Sequence, residues 1–246
     1  MRDVPTVIVP ALTPGTDGAI QTAAAHAYAQ RAASTWIDAG LLSGSTTRGD
    51  LLTVAQRADL IDLWRQHVPA DRLIACCWTT DDVTAAAERG VAPMIVLRDL
   101  ADRQAALDFL ASLPAGTYIY SHPMYTPTVF DAELAAAACA EKVLPAGGKL
   151  AKVDLNEVTA IRAAAGPGFR LWDGRCRHIA ASAEAGAAGV IVTPLSHIPD
   201  PFPEPNLPDL QAAVDRYQAA IDAQPDRPHR TALLQAAAFG TPPRTI

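Results

Sequence analysis

Residues 147–154 read GGKLAKVD, two glycines followed by a short strand-like stretch that holds a lysine among apolar residues. This stretch contains one of eight short apolar runs, and longer alanine-rich segments with a helical pattern separate the runs. The apolar runs are 7–12, 37–43, 73–77, 94–97, 118–120, 149–153, 169–172 and 190–193. The helical segments between them are 23–33, 54–67, 81–89, 103–113, 131–142, 157–165 and 177–185.

Strands and helices that alternate every ~20 to 35 residues predict right-handed crossovers and a parallel sheet. Eight such units within residues 7–193 favour a closed (β/α)₈ barrel, a TIM barrel, over an open doubly wound sheet. No GxGxxG pattern follows the first run, which argues against a dinucleotide-binding fold. The predicted fold class is therefore α/β.

The chain beyond the eighth run predicts two more helices. A proline-dense stretch, 199–205, excludes helix and central strand, and helical patterns follow at 207–223 and 229–239. We predict that residues 1–223 form the barrel. Residues 224–246 are then a C-terminal helical extension packed on the barrel, not an independent domain.

Composition excludes several classes of protein. The 246 residues are half apolar, which indicates a globular chain, and the net charge of −6 with scattered basic residues gives no footprint for nucleic acid or a membrane surface. The N-terminal apolar run is short and interrupted by prolines, which argues against a signal peptide. The four cysteines and the histidines show no metal-ligand spacing, so we expect buried reduced thiols, no metal and a cytoplasmic protein.

Candidate reacting groups lie where the strands end, because a barrel of this kind gathers its chemistry at the C-terminal ends of its strands. Lys152 and Tyr120 end consecutive predicted strands and should face one cavity. The chain has three lysines against seventeen arginines, and a desolvated lysine, unlike an arginine, can become a neutral amine that attacks a carbonyl. The alternatives are a strand-end lysine that extends to solvent and a core tyrosine. The turn Gly44–Thr47 offers hydroxyls and N–H groups for a carboxylate.

These motifs together resemble the pyruvate-dependent class I aldolases that include dihydrodipicolinate synthase and N-acetylneuraminate lyase. The resemblance runs from about Val7 to Thr193. The matching segments are Ala11-Leu12-Thr13-Pro14 with Asp17-Gly18, Gly44-Ser45-Thr46-Thr47-Arg48 for the family's Gly-Thr-Thr-Gly-Glu, Tyr120-Ser121-His122-Pro123 for Tyr-Asn-x-Pro, Leu150-Ala151-Lys152 for Gly-x-Lys, Gly174, and Gly189-Val190-Ile191.

The resemblance implies a Schiff-base mechanism with no metal or nucleotide cofactor. Lys152 would form an imine with pyruvate or a related 2-oxo acid, and Tyr120 would move protons. Ser45 and Thr46 would hold the carboxylate. The second substrate would be an aldehyde, and the protein a homo-oligomer, a dimer or a tetramer. The remaining substrate-binding positions are Gly44, Thr47, Arg48, His122, Tyr125, Gly174 and Ile191.

The departures from the family affect the acceptor half of the site. Thr47 and Arg48 replace a glycine and a glutamate. Dihydrodipicolinate synthase has a tyrosine in the loop after the fourth strand, and this chain has none there. That enzyme also has an arginine just past its Tyr-Asn-x-Pro motif, where this chain has Tyr125. We therefore expect an aldolase that is not an authentic dihydrodipicolinate synthase, with Asp173 and Arg175 as further candidates for acceptor recognition. The alternative is a non-catalytic barrel that binds a 2-oxo acid for regulation.

Overall fold

Eight parallel strands close into a single barrel in the computed structural model, which confirms the predicted (β/α)₈ architecture. The structure describes residues 4–15 and 19–240, so the Asp17-Gly18 match and the end of the predicted C-terminal extension lie outside it. The strands are β1 Thr6–Pro10, β2 Ala39–Leu42, β3 Leu73–Cys77, β4 Ala92–Val96, β5 Tyr118–Ser121, β6 Gly147–Leu150, β7 Arg170–Asp173 and β8 Gly189–Ile191. Each strand pairs with the next, and β8 returns to β1.

Helices follow the strands and cover the outside of the barrel. They are α1 Thr22–Ala33, α2 Val54–Arg65, α3 Thr80–Glu88, α4 Arg103–Ser112, α5 Ala132–Ala140, α6 Leu155–Ala165, α7 Ile179–Glu184 and α8 Leu207–Asp222. Asx and Thr side chains cap most of their N-termini, as Asp131 does for α5 by accepting from the Leu134 N–H. No helix within residues 4–15 and 19–240 is long and apolar enough to cross a membrane.

The ninth helix, α9 (Arg227–Phe239), lies across the C-terminal ends of β1 and β2. Thr231 Oγ1 donates to the Thr46 carbonyl at 2.8 Å, and Gln235 Nε2 donates to the Thr13 carbonyl at 3.3 Å. At its far end Phe239 packs edge-on against Tyr28 of α1, with ring centroids 5.3 Å apart. The C-terminal extension is therefore joined to the rim where the strands end.

The sixth strand is shifted from its predicted position. The sequence predicts a strand over 149–153, whereas β6 runs over Gly147–Leu150. Gly148 must be a glycine here, because a Cβ would lie 2.5 Å from the Ile119 carbonyl oxygen of β5. Strand propensity disfavours glycine, so the two glycines did not count as strand in the apolar pattern.

The shift changes which lysine lies inside the barrel. Side chains alternate across a strand, and Lys149 points into the barrel in register with Tyr120 of β5 and Trp172 of β7. Leu150 packs outward in the core beneath the helices. The ladder extends one more bond, from the Ala151 N–H to the Ser121 carbonyl at 3.0 Å. The chain then turns at Lys152, whose φ is 63°.

A buried ion pair supports the turn after β2. Arg57 Nε donates to Asp82 Oδ1 at 2.8 Å, and the two side chains are 7% and 4% exposed. Arg57 also donates to the carbonyls of Gly49 and Leu52, while Asp82 accepts from the Trp78 N–H at 2.8 Å. Because both ions are removed from water and bonded on several sides, the pair ties the β2 turn to the end of β3.

Candidate active site

A cavity of about 610 Å³ opens at the end of the barrel where the strands finish. That volume lies in the range of small-molecule sites. The residues that line it come from the barrel, from the loops after β2, β5, β6, β7 and β8, and from α8 and α9. They include Ser45, Thr46, Tyr120, His122, Met124, Tyr125, Lys149, Ala151, Lys152, Gly174, Arg175, Arg177, Thr193, Gln218, Ile221, Asp222, Arg227, Arg230, Thr231 and Leu234.

Lys149 reaches this cavity from inside the barrel. It is only 6% exposed, and its Nζ lies 4.3 Å from the centroid of the Tyr120 ring. None of the ion pairs within residues 4–15 and 19–240 includes it. A buried amine that has an aromatic face beside it and no carboxylate partner is free to react with a ligand.

Gly174, at the end of β7, leaves room for the Lys149 side chain. A Cβ at this position would lie 3.2 Å from Lys149 Cε and 3.1 Å from the Leu150 carbonyl oxygen. Both distances are shorter than ordinary van der Waals contact, so a side chain here would push against the lysine. The position therefore needs a glycine for packing next to Lys149.

The placement predicted for Lys152 at the end of the sixth strand is wrong. Lys152 follows the strand by two residues, is exposed, and lies in a left-handed backbone conformation. It lines the cavity from the loop after β6 instead of from inside the barrel. The cause is the shifted strand, which moves the inward-facing lysine from 152 to 149.

Tyr120 lies in the cavity as predicted, joined to the turn after β2. Its hydroxyl is 3.1 Å from Ser45 Oγ, and the side chain is 3% exposed. The Tyr125 ring packs against Tyr120 with centroids 5.9 Å apart. Partial burial and the neighbouring Tyr120 raise the pKa of Tyr125, while the positive charge of Arg227 works in the opposite direction. The Tyr120 and Ser45 hydroxyls thus form a hydrogen-bonded pair beside the Tyr125 ring.

His122 also lines the cavity, and it is held in one orientation. Its Nδ1 accepts the Met124 N–H at 2.9 Å, which leaves Nε2 as the donor of the neutral ring. Burial first, and then the positive charges of Lys149, Lys152 and Arg227, lower the pKa of His122 to about 4. His122 is therefore an uncharged hydrogen-bond donor near neutral pH.

Comparison with solved structures identifies the fold. Neither a protein-family model nor a curated protein matches the sequence. A dihydrodipicolinate synthase family protein from Coccidioides immitis matches with a TM-score of 0.72 at 18% identity, over 98% of this chain and 86% of its own. Dihydrodipicolinate synthase from Cyanidioschyzon merolae, with lysine bound, gives 0.71 at 19% identity over 96% and 89%. The enzyme from Acinetobacter baumannii, complexed with pyruvate, gives 0.68 at 16% identity over 96% and 81%.

This chain has the dihydrodipicolinate synthase fold. Likeness at these identities establishes the architecture, and it agrees with the barrel predicted from the strand pattern. Within that fold the Gly-x-Lys pattern is matched in full by Gly147-Gly148-Lys149, whereas Leu150-Ala151-Lys152 has a leucine at the first position. This complete match was the sequence signal that could have placed Lys149, instead of Lys152, in the sixth strand.

Only part of the turn predicted to bind a carboxylate, Gly44–Thr47, lines the cavity. Ser45 and Thr46 line it, and they begin one 3₁₀ turn whose first N–H groups have no partner within the turn. Gly44, Thr47 and Arg48 are not among the described lining residues. Arg48 is instead directed to Asp50, with its Nη2 2.8 Å from Oδ2. Its backbone is left-handed, with φ at 57°.

Some of the other predicted positions line the cavity and others do not. Ile191 is fully buried inside the barrel and is not among the described lining residues, so its contact with substrate stays a prediction. Arg175 lines the cavity, while Asp173 accepts the Arg175 N–H at 2.7 Å and shapes that loop. Arg98 pairs with its neighbour Asp99 at 3.0 Å on the surface.

The sequence reasoning missed the contribution of α9. Arg227, Arg230, Thr231 and Leu234 lie on one face of this helix and line the cavity. Arg227 donates to the Ser45 carbonyl, and its Nη1 lies 3.6 Å from Met124 Sδ. The spacing i, i+3, i+4, i+7 of this face was the available signal in the sequence, but the sequence reasoning assigned no role to the side chains of this helix.

The cysteines and potential metal ligands form no second reactive centre. Within residues 4–15 and 19–240 no group of three or more His, Cys, Asp or Glu side chains could hold a metal ion. Cys76, Cys77 and Cys176 are buried, and burial raises the pKa of the Cys76 thiol to about 12. Cys139 is exposed, contrary to the expectation that all four thiols are buried.

Proposed function

We propose that the protein is a class I aldolase of the dihydrodipicolinate synthase family in which Lys149 forms an imine with pyruvate or a related 2-oxo acid. The observation that carries this proposal is the buried, unpaired Lys149 amine over the Tyr120 ring at the inner end of the cavity. A related barrel has been solved as dihydrodipicolinate synthase complexed with pyruvate, which supports a 2-oxo acid as the first substrate.

The first step joins Lys149 to the 2-oxo acid. The neutral Nζ attacks the ketone carbon, the ketone oxygen takes up protons, and water leaves to give an iminium ion. The attack requires the amine in its neutral form. Ser45 and Thr46 would hold the substrate carboxylate so that the ketone carbon lies within reach of Nζ.

The second step uses the iminium as an electron sink. A proton leaves the carbon next to the iminium and an enamine forms, whose carbon attacks the carbonyl of an aldehyde. The new alkoxide takes a proton, and water then hydrolyses the imine to release the product and Lys149. The reverse sequence cleaves the same bond.

Tyr120 is placed to move the protons of these steps. Its hydroxyl lies beside Ser45 Oγ at 3.1 Å, and the Tyr125 ring packs against the Tyr120 ring. A positioned acid or base of this kind contributes roughly 10²- to 10⁴-fold to rate. His122, with its Nε2 as donor, would bond the oxygen of the aldehyde or of the new alkoxide.

The aldehyde is not expected to be that of dihydrodipicolinate synthase. The loop after β4 carries Arg98 and Asp99, which pair with each other in solvent and supply no tyrosine to the cavity. Tyr125 stands where that enzyme has its arginine after the Tyr-Asn-x-Pro motif. The pyruvate half of the site is kept, and the acceptor half differs.

Reductive trapping tests the proposal. The protein is incubated with pyruvate and sodium borohydride, and the intact mass is measured for the wild type, Lys149→Ala and the matched variant Lys152→Ala. We expect one adduct in the wild type and in Lys152→Ala, and none in Lys149→Ala. If neither pyruvate nor a panel of other 2-oxo acids gives an adduct on the folded wild type, the imine mechanism is refuted.

A further inference from the structure

The charge of the cavity is opposite to that of the chain. The protein has a net charge of −6, yet five cationic side chains besides Lys149 and a single carboxylate line the cavity. The five cations are Lys152, Arg175, Arg177, Arg227 and Arg230. Like charges held together in one cleft repel, and an anionic ligand relieves that repulsion and is attracted by the local field.

Only one of these cations has a carboxylate partner in the cavity. Arg177 takes Asp222 through two hydrogen bonds, at 2.7 and 3.0 Å. The side chain of Arg230, on the cavity face of α9, donates no hydrogen bond and makes no ion pair to any residue of the described ranges, although the charges of Asp222 and Asp226 reach it. Arg230 is therefore available to a ligand.

Arg227 has a different environment. It donates to the Ser45 carbonyl, and so lies directly over the turn proposed to hold the 2-oxo acid. Its positive charge is felt by both His122 and Tyr125. The α9 face thus extends from the proposed reaction centre at Arg227 to the outer cavity at Arg230, one helical turn away.

A 2-oxo acid bound at the reaction centre has one carboxylate, which would not reach Arg230 in the outer cavity. Its carboxylate would be held at Ser45 and Thr46, with Lys149 bonded to the adjacent carbon, whereas Arg230 lies one helical turn beyond Arg227 on α9, where the charge of Asp222 in α8 reaches it. Thr231, the next residue, donates to the Thr46 carbonyl and fixes the helix in this position. The helix is held without any contribution from Arg230.

We infer that the acceptor aldehyde carries a second anionic group, a carboxylate or a phosphate, which Arg230 and Arg227 bind. This inference rests on the proposed aldolase function and narrows its second substrate to anionic aldehydes. Guanidinium groups suit both anions, because their planar N–H donors match carboxylate and phosphate oxygens. Arg230 is then a determinant of specificity and Lys149 the nucleophile.

The first experiment compares three acceptors with pyruvate as the donor: neutral glyceraldehyde, succinic semialdehyde as the carboxylate and glyceraldehyde 3-phosphate as the phosphate. We expect kcat/KM to be at least about tenfold higher with one of the two anions than with glyceraldehyde. The anionic aldehyde with the higher kcat/KM shows whether the site prefers a carboxylate or a phosphate. Equal use of all three aldehydes would overturn the inference.

Substitution of Arg230 locates the effect. In Arg230→Ala, kcat/KM for the preferred anionic aldehyde should fall about 10- to 100-fold, mostly through KM, with glyceraldehyde changed by less than about twofold. The control is Arg216→Ala, an exposed arginine of α8 outside the described lining, which should change neither. An equal loss with every aldehyde in Arg230→Ala would assign the residue a structural role and refute the binding site.

A binding measurement separates this inference from the aldolase proposal. Calorimetric titration with malonate and with inorganic phosphate uses the Lys149→Ala protein, which cannot form an imine, and the Lys149→Ala, Arg230→Ala double variant. Binding that weakens at least about tenfold in the double variant supports the anion site even where trapping fails. Unchanged binding overturns it even where trapping succeeds.

Discussion

Replacing Gly174 by alanine tests whether the position of Lys149 matters to its reaction. The added Cβ would lie 3.2 Å from Lys149 Cε and 3.1 Å from the Leu150 carbonyl oxygen, so the lysine must shift by a few tenths of an ångström. The backbone of Gly174 is not in the left-handed region, and the effect is therefore steric. We expect overpacking to cost about 1 to 2 kcal/mol of unfolding free energy.

The expected loss in activity is larger than the loss in stability. Displacing a nucleophile from its attack position by about 1 Å can cost ~10²-fold in rate, so a smaller displacement should slow imine formation by about 10- to 100-fold. The assay mixes enzyme with pyruvate, quenches with borohydride at timed intervals and measures the adduct by mass. The control is Gly168→Ala, where a Cβ meets nothing within 4 Å. Imine formation in folded Gly174→Ala at the wild-type rate would refute the account of Lys149.

Three further predictions concern the surroundings of the site. Tyr120→Phe keeps the ring over Lys149 but removes the hydroxyl beside Ser45. It should slow imine formation by about 10²- to 10⁴-fold with little change in Tm. An unaffected rate would exclude Tyr120 as the proton carrier. Asp82→Ala leaves Arg57 buried without its partner and should cost about 3 to 5 kcal/mol in denaturant unfolding; a loss under about 1 kcal/mol would show that the pair does not support the β2 turn. The pKa of His122 lies below its unfolded value, so stability should fall as pH drops from about 6.5 to 4, where the unfolded histidine binds a proton and the folded one does not. NMR should show the folded ring titrating near pH 4, and a midpoint near 6.5 would contradict the burial and cationic field described here.

The barrel could be predicted because alternation of apolar runs and helical segments is a repeated signal. An error of two residues in one strand leaves the eightfold pattern intact. The same error has a large effect on the site, because side chains alternate and each barrel position has its own neighbours. The glycines of β6 carry no hydrophobic signal, although the close approach of Ile119 requires one of them. The apolar run therefore assigned the strand to residues 149–153 and Lys152 to its end.

The cavity wall made by α9 could not be read from the sequence for a different reason. Helix α9 is held at the mouth of the barrel by hydrogen bonds to backbone carbonyls, such as the bond from Thr231 to Thr46. Every residue has a backbone carbonyl, so the amino-acid sequence does not show which carbonyl accepts such a bond. The position of Arg48 depends on its left-handed backbone and on Asp50 two residues away. Arg48 was predicted as a site residue, but in the structure it forms an ion pair with Asp50. Tyr120, Ser45 and Thr46 were predictable because strand ends and the turn after β2 converge in any barrel of this topology.

The identity of the lysine that reacts with a 2-oxo acid is the most direct test of this account. The chain has only three lysines, at 142, 149 and 152, and trypsin does not cleave after a lysine that carries the reduced adduct. After borohydride trapping of the wild-type protein with pyruvate, we predict a modified tryptic peptide that spans residues 143–152 with the adduct on Lys149. A modified peptide of residues 150–162, with the adduct on Lys152, would contradict the central claim.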